Sequence, residues 1–234
     1  MKSSPKVKEI FVPLRGQHPE IRPPLTAMPA TRPRLLLLNA SLAGDAGNTA
    51  VLFARARRLL ARRATVETLT LAPTPGHITT FAELRPKLAA ADGFLFGTGT
   101  HWDSWSSVLQ KFLEDATPTE GTALWLGKPA AVVVSEHSTG GKGVLSRLHG
   151  VLVTLGCTLP PMSGLVLSRA ALLAVKHAHD PAATRDFWCE ADLLVVCHNL
   201  AEAARVTLPH ASPALPRWRT WPVDRRDFHT RWLT

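Results

Sequence analysis

The stretch Arg34–Arg63, RLLLLNASLAGDAGNTAVLFARARRLLARR, decides the fold. Leu35–Leu38 is short and uniformly apolar, which is typical of a strand that is buried on both faces of a parallel sheet. Ala40–Thr49 is rich in small and hydroxylated residues, and apolar residues then recur at helical spacing, with arginines on the opposite face. The pattern predicts a buried strand, a loop and a helix. A helix N-terminus beside such a loop offers unpaired N–H groups and the positive end of the helix dipole, so we expect it to bind a phosphate.

Length and composition indicate one domain with extensions at both ends. The chain has 234 residues, 45% of them hydrophobic and 19% charged, whereas a single domain typically has about 100–200 residues. No apolar run approaches the roughly 20 residues that span a bilayer, and prolines and glutamates interrupt the first thirty residues where a secretory signal would be apolar. We expect an N-terminal arm over 1–33, a domain over 34–207 and a C-terminal arm over 208–234, in a cytoplasmic protein without a membrane span.

The charge distribution indicates how the chain meets its partners, and the cysteine content indicates whether disulfides or metal sites are expected. Of the net charge of +9, the arms 1–33 and 208–234 carry +4 and +3, and the central region carries only +2. This distribution favours docking or assembly through the arms over a basic groove across the fold. The three cysteines have no metal-ligand spacing, so we expect reduced thiols and neither a disulfide framework nor a metal site.

The C-terminal arm alternates three tryptophans with arginines. Cation–π and apolar contacts favour laying it across another subunit or across its own domain, while stacking on single-stranded nucleic acid is the second interpretation. We favour assembly, and expect a homodimer or homotetramer that exchanges arms, without a nucleic-acid partner.

Strand and helix patterns alternate along 34–207. Further strands are predicted at 65–71, 92–98 and 127–135, with a fifth near 158–159 or 165–167. Helices are predicted at 84–91, 108–116, 145–155 and about 184–205. The inner face of the last helix is expected to carry Trp188, Ala191, Leu194, Val195 and His198. Such alternation predicts an α/β fold with a parallel sheet that is covered on both faces.

Three loops follow the carboxyl ends of predicted strands, at 40–49, 99–107 and 136–143. In a doubly wound sheet, ligands bind outside the carboxyl ends of the strands, where the strand order reverses. We therefore expect the three loops to converge on one site.

The loop sequences resemble those of a known family. Asn39–Thr49 is similar to the Gly-Ser-Pro-Arg-x-x-Gly-Asn-Thr phosphate loop of the flavodoxin-like NAD(P)H-dependent FMN reductases and quinone reductases. Ala91–Trp102 with Gln110–Glu114 resembles the family's strand, its Thr-Pro-x-Tyr/Trp loop and its Leu-Lys-x-Phe-Leu-Asp helix. Gly127–Gly141 resembles its Gly-Lys-Pro strand with the Gly-rich loop that follows. The likeness covers about 34–200.

Departures from the family pattern occur in the first two loops. Ala40 and Leu42 replace the usual glycine and proline of the first loop. Gly99 replaces the usual proline of the second loop, and Asp103 stands where glycine is common. Gly99 makes the second loop more flexible than the family pattern.

The resemblance implies a flavodoxin-like three-layer sandwich with a five-stranded parallel sheet of order 2-1-3-4-5. It implies FMN as the cofactor and NADPH or NADH as the co-substrate. Hydride would pass to flavin N5, and the electrons would pass on to a quinone, a free flavin or another small-molecule acceptor. A non-catalytic electron carrier or flavin-binding protein on the same fold is the alternative. No catalytic acid or base is required, so the candidate residues are cofactor contacts.

The first loop contains the candidate phosphate contacts. Ser41, Asn48 and Thr49 carry side-chain donors, and Gly47 lets the backbone approach closely. The alternative for Asn48 is a helix N-cap that satisfies the first N–H groups of the helix.

The other two loops contain the candidate ring contacts. In the second loop the edge of the flavin ring needs donors and acceptors, and an aromatic side chain gives stacking area. Trp105 is expected either beside the ring or in the core or a subunit contact. For the third loop, a plain surface turn is the alternative. The candidates are Thr98, Gly99, Thr100, His101, Trp102 and Asp103, then Ser135, His137, Ser138, Gly140 and Gly141.

Overall fold

A computed structural model gives the structure of residues 32–73, 79–177, 188–207 and 218–220. In this part of the chain five parallel strands form one sheet in the order β2-β1-β3-β4-β5, which confirms the predicted topology. The strands are β1 Arg34–Ala40, β2 Thr65–Thr70, β3 Gly93–Gly99, β4 Ala130–Glu136 and β5 Gly164–Ser168. The helices are α1 Asn48–Leu60, α2 Phe81–Ala90, α3 Ser107–Ala116, α4 Gly141–Leu155, α5 Arg169–His177 and α6 Leu193–Thr207.

The position of β1 in the sheet explains why Leu35–Leu38 is apolar throughout. Leu36 and Leu38 pack into one core cluster with α2, α3 and α4, while Leu35 and Leu37 pack into a second cluster with α1 and α6. All four side chains are at most 2% exposed. Because helices cover both faces of the sheet, neither set of alternating positions tolerates a polar side chain.

The fifth strand lies at the later of its two predicted positions. Gly164–Ser168 pairs with β4 in parallel, whereas Thr158 makes only an isolated bridge to Pro129. Helix α5, which the sequence did not predict, follows directly and buries none of its nine residues.

The predicted inner face of the last helix is wrong. Leu194 and Val195 are 55% and 45% exposed, Trp188 precedes the helix, and Ala191 and His198 are exposed. The buried positions of α6 are Leu193, Val196, Cys197, Leu200, Ala201 and Ala204. Residues 193–197 are apolar without a break, so this stretch fits either phase of the helix and only packing against the sheet selects one.

Lys128 gives the Gly-Lys-Pro motif a structural role. Its ammonium group donates to the carbonyl oxygens of Leu88 and Ala89, at 3.0 and 3.1 Å, where α2 ends. Those carbonyls have no partner within the helix, and a cation also complements the negative end of the helix dipole. Burial lowers the pKa of Lys128, and the nearby Asp92 opposes that effect.

Most of both arms lies outside the described residues, and the boundaries proposed for the arms stay predictions. Trp218–Thr220 belongs to the C-terminal arm and lies on the domain itself. A Cβ on Gly127 would be 2.6 Å from the Trp218 ring, and a Cβ on Gly121 would overlap Thr220. Both glycines have positive φ. No helix of the described ranges has the length and apolarity that crossing a membrane demands.

The stability of the protein should fall at alkaline pH because two thiols are buried. Burial raises the pKa of Cys157 and of Cys197 to about 12 each. The unfolded chain releases these protons from roughly pH 8.5 upward and the folded chain only near 12, so the free energy of unfolding decreases as the pH rises between these values. At pH 10 the loss is up to about 2 kcal/mol per thiol. Urea unfolding at pH 8 and pH 10 measures it.

The double variant Cys157→Ala, Cys197→Ala is the matched comparison. It is less stable than the wild type at pH 8 because both substitutions remove buried volume. Its loss of stability between pH 8 and pH 10 should nevertheless be smaller. An unchanged loss would show that other groups cause the alkaline destabilisation.

Candidate functional site

Three loops meet at the carboxyl edge of the sheet, as the sequence predicted. They follow β1, β3 and β4, which are neighbours in the sheet, and the strand order reverses between β1 and β3. The Ser106 hydroxyl, at the end of the second loop, donates to the carbonyl oxygen of Ala40 at 2.5 Å. The N–H of Thr100 donates to the carbonyl oxygen of Ser135 at 2.9 Å. These bonds join the second loop to the first and to the end of β4.

Asn39, near the end of β1, fixes the shape of the first loop through hydrogen bonds. Its side chain is fully buried, donates to the carbonyl oxygen of Gly44 at 3.1 Å and accepts from the N–H of Ser41 at 3.1 Å. The carboxylate of Asp45 accepts from the Thr70 hydroxyl at 2.6 Å, which ties the outer part of the loop to β2. Sequence analysis did not select Asn39, although an amide at the end of an apolar strand was the available signal.

The first turn of α1 has no side-chain cap. The helix begins at Asn48, and Gly47 precedes it with an extended backbone and no capping hydrogen bond. The interpretation of Asn48 as an N-cap is therefore wrong, because it is already a helical residue and its side chain is exposed. A Cβ on Gly47 would overlap the Ser41 hydroxyl, so Ser41 lies directly against the start of the helix. The first-turn N–H groups and the Ser41 hydroxyl are the donors that we expect to bind an anion, which stays a prediction.

Thr49 is more deeply placed than the other candidates of the first loop. It is 1% exposed, and a Cβ on Gly97 of β3 would overlap its methyl group. Gly97 is therefore required for α1 to approach the sheet this closely. A contact between the Thr49 hydroxyl and a phosphate stays a prediction.

The second loop turns back on itself through two left-handed residues. His101 and Ser104 exchange two backbone hydrogen bonds of 2.8 and 2.9 Å, and between them Trp102 and Asp103 have φ of 49° and 57°. Two central residues with positive φ form a type I′ turn. Asp tolerates this conformation and Trp adopts it at a cost. The left-handed φ also explains why glycine is common at position 103 in the family pattern.

The turn presents Trp102 to solvent and is held from behind by Arg147. Trp102 is 101% exposed. The Arg147 guanidinium donates to the carbonyl oxygen of Asp103 and lies 5.6 Å from the centre of the Trp105 ring. Trp105 donates to Gln110 at 2.8 Å and packs on the core. The structure thus gives Trp105 a role in the core, and Trp102 is the free aromatic surface.

The two threonines of this loop differ in their hydrogen bonding. Thr98 is fully buried; its hydroxyl donates to the carbonyl oxygen of Gly99 at 3.0 Å and accepts from the N–H of Ser106 at 3.1 Å. The hydroxyl oxygen of Thr100 is buried and has no hydrogen-bond partner among the described residues. A buried hydroxyl without a partner is costly unless a ligand satisfies it.

The third loop fits against the second at Gly140. This residue has φ of 93°, and a Cβ there would overlap the Asp103 carboxylate and lie 3.2 Å from the Thr100 methyl group. The N–H of Gly141 donates to the carboxylate of Glu136 at 2.5 Å. A plain surface turn does not require this close packing. Glu136 is a second residue that sequence analysis did not select.

The remaining candidates surround this contact. Ser135 and Gly99 are half-buried, while His101, His137 and Ser138 are exposed. The carbonyl oxygen of His137 accepts from the N–H of Ala170 at 2.8 Å, which links the third loop to α5.

The residues present fit FMN. The first turn of α1 provides donors for a phosphate, and the buried Thr100 hydroxyl has no hydrogen-bond partner among the described residues. Within the described ranges no group of three or more His, Cys, Asp or Glu side chains is placed to hold a metal ion.

Adding a single methyl group at Gly140 should weaken FMN binding without unfolding the protein. In Gly140→Ala, the Cβ displaces Asp103 and strains a left-handed position, so we expect the FMN dissociation constant to rise about tenfold or more, equivalent to about 1.4 kcal/mol or more. Flavin fluorescence quenching measures it. Gly143→Ala is the control on the same helix, because nothing lies within 4 Å of that Cβ. Weaker binding in both variants would contradict the role of Gly140.

Removing the guanidinium of Arg147 should loosen the second loop. In Arg147→Met, the turn at Trp102 and Asp103 loses the donor that holds it, and we expect FMN affinity to fall roughly tenfold, since a hydrogen bond from a charged donor contributes about 1.5–3 kcal/mol. Adding Asp103→Gly should restore part of the affinity, because glycine adopts positive φ freely. Wild-type affinity in the single variant would show that the turn holds its shape unaided.

Comparison with known proteins agrees with this geometry. The family model described as NADPH-dependent FMN reductase matches residues 33–171. No curated protein matches the chain.

Solved structures show the same fold at low sequence identity. RosB with a bound formylated riboflavin-phosphate intermediate is 16% identical, with a TM-score of 0.57 over 74% of this chain and 79% of that chain. The apo form of the NADH:FMN oxidoreductase EMOB is 17% identical, with a TM-score of 0.54 over 76% and 93%. The NAD(P)H:acceptor oxidoreductase FerB from Paracoccus denitrificans is 18% identical, with a TM-score of 0.53 over 74% and 97%.

The family match extends over more than half of the chain, from just before β1 to the start of α5. The chain therefore belongs to the NADPH-dependent FMN reductase family, and it is a flavin-dependent oxidoreductase with FMN as its cofactor and NAD(P)H as its co-substrate.

Proposed function

We propose that this protein takes hydride from NADPH or NADH through bound FMN and delivers the electrons to a quinone, a free flavin or another small-molecule acceptor. The observation that carries the proposal is an uncapped helix N-terminus on one loop and, on the adjacent loop of the same sheet edge, the buried hydroxyl of Thr100, which has no hydrogen-bond partner among the described residues. A phosphate and a polar ring edge on one molecule satisfy both. Bound FMN supplies the hydride acceptor, and the protein supplies binding and orientation.

The first loop holds the phosphate in this proposal. Ser41, Asn48 and Thr49 donate from their side chains, and Gly47 lets the phosphate reach the first-turn N–H groups. These donors need no rearrangement because Asn39 already fixes the loop from below. A preorganised loop binds without paying the entropy of ordering.

The second and third loops hold the ring. Thr98, Gly99 and Thr100 lie at the carboxyl end of β3, and the Thr100 hydroxyl is the donor or acceptor for the ring edge. Trp102 and His101 stand at the tip of the turn and shield one face of the ring from water. Ser135, His137, Ser138, Gly140 and Gly141 face the pyrimidine side of the ring or the ribityl chain, with Asp103 locked against Gly140.

The arms serve assembly in this proposal. We place the cofactor domain at 34–207 and assign 1–33 and 208–234 to arms that are exchanged within a homodimer or homotetramer in the cytoplasm. The contact of Trp218 with Gly127 shows that part of the C-terminal arm lies on a domain surface. Light scattering of the full chain and of a chain ending at residue 207 tests this. If both chains form oligomers with the same number of subunits, arm exchange is rejected.

The flavin spectrum tests the main proposal. The purified protein, or the protein incubated with excess FMN, should show flavin absorption and release FMN on denaturation. Anaerobic addition of NADPH or NADH should bleach it, and a quinone or free flavin should restore the colour. Protein that stays colourless and does not quench FMN fluorescence would reject the site. Bound FMN that neither dinucleotide bleaches would favour the electron carrier.

An acidic side chain at the start of α1 should abolish flavin binding. In Asn48→Glu, a carboxylate stands at the proposed phosphate position, and like-charge repulsion should raise the FMN dissociation constant at least a hundredfold, about 2.7 kcal/mol. Asn48 is exposed, so the fold tolerates the change, unlike a change at the buried Thr49. Ala54→Glu adds the same charge on the exposed side of the same helix and should bind FMN normally. Retention of FMN by Asn48→Glu would place the phosphate elsewhere.

A further inference from the structure

A cleft of about 280 Å³ opens beside the first turn of α1. Its lining includes Asn48 of α1 and Arg169 of α5, together with Ser135, Glu136 and Glu190. It therefore adjoins both the first loop and the end of β4. Its volume is close to the lower end of the range for small-molecule sites, about 300–1,000 Å³, so it suits part of a nucleotide.

Of the charged side chains that line this cleft, the two carboxylates have partners among the described residues and the guanidinium does not. The Glu190 carboxylate pairs with Arg55, and the Glu136 carboxylate accepts from the N–H of Gly141. Arg169 makes neither a hydrogen bond nor an ion pair with any described residue, although two carboxylates line the same cleft. Its guanidinium is the cation there that remains available to a ligand.

Arg169 is also held in a fixed place relative to the three loops. It is the first residue of α5, and the next residue, Ala170, donates its N–H to the carbonyl oxygen of His137 in the third loop. The hydroxyl of Ser168, just before Arg169, accepts from the N–H of Ala171 at 3.4 Å. The backbone that carries the guanidinium is thus bonded to a loop of the proposed flavin site.

We infer that Arg169 binds a phosphate group of the nicotinamide dinucleotide, in the cleft between α1 and α5. This inference rests on the proposed function, which places the FMN phosphate at the first loop and leaves the dinucleotide phosphates to be neutralised elsewhere. A guanidinium presents a planar fork of donors that matches a phosphate bidentately, and it stays charged at any working pH. The ligand for Arg169 is accordingly a phosphate next to the flavin, carried by the reductant.

The test compares Arg169→Gln with Lys176→Gln, which removes the same charge from an exposed position near the other end of α5. FMN-loaded protein is titrated with NADP⁺ and NAD⁺, which bind without reducing the flavin, by isothermal calorimetry. Losing a charged hydrogen-bond donor should weaken dinucleotide binding by about tenfold or more. FMN affinity should stay within about twofold, and Lys176→Gln should match the wild type in both.

Steady-state kinetics of the Arg169 variants should show weaker binding of the reductant and an unchanged chemical step. In Arg169→Gln the KM for NADPH should rise while kcat at saturation stays the same. The KM of Arg169→Lys should lie between the values of the wild type and Arg169→Gln. A loss of affinity for NADP⁺ alone would assign Arg169 to the 2′-phosphate. An equal loss of affinity for NAD⁺ would assign it to the diphosphate, and both results support the inference.

Two results would overturn it. Unchanged dinucleotide affinity in Arg169→Gln would remove the residue from the reductant site. A raised FMN dissociation constant would show that the guanidinium contacts the phosphate of the flavin instead. If neither NADPH nor NADH bleaches the wild-type flavin, the proposed function fails, but the NADP⁺ titration still decides whether Arg169 binds a dinucleotide phosphate.

Discussion

The candidate site depends on one buried side chain, the carboxamide of Asn39 at the end of β1. Its donor and acceptor both engage the backbone of the loop that follows, at Gly44 and Ser41. A buried amide that loses one of these partners costs free energy, so the bonds fix the loop in a single shape. The start of α1 and the Ser41 hydroxyl take their positions from that shape. Without it, the first-turn N–H groups of α1 would still exist, but nothing would arrange a hydroxyl and a glycine around them.

On the other side of the site, a steric constraint at Gly140 fixes the second loop, as Asn39 fixes the first. Gly140 leaves room for the Asp103 carboxylate, and Arg147 holds the carbonyl of the same residue from the opposite direction. The second loop is therefore confined by Gly140, which precedes α4, and by Arg147 within α4. This confinement compensates the cost of placing Trp102 in a left-handed conformation, and an exposed aromatic side chain stays at the mouth of the site.

The sequence was sufficient for the features that depend on pattern. The four leucines of β1, the alternation of strands and helices, and the small residues of the three loops predicted a parallel sheet and the edge where the loops meet. The strand order came from the resemblance to the family. The sequence was insufficient where a side chain acts across a distance in sequence. Arg147 reaches a turn 44 residues earlier, and no local pattern marks it. The phase of α6 failed for a related reason, since a continuous apolar run fits two faces and only the sheet selects between them. Helix α5 is only nine residues long and buries no side chain, so no core position marked it in the sequence.

Among the helices that begin at this edge of the sheet, α1 and α4 differ in the charge at their first turns. At α4, the Glu136 carboxylate accepts from the N–H of Gly141, so the positive end of that helix dipole already has an anion. At α1, no side chain caps the helix. A phosphate dianion placed at α4 would meet a carboxylate, whereas one placed at α1 meets unpaired N–H donors and the dipole together. The same electrostatic difference gives the cofactor a direction across the site. In the proposed site, its phosphate lies at the loop after β1 and its ring lies over the loops after β3 and β4, where the Thr100 hydroxyl has no hydrogen-bond partner among the described residues.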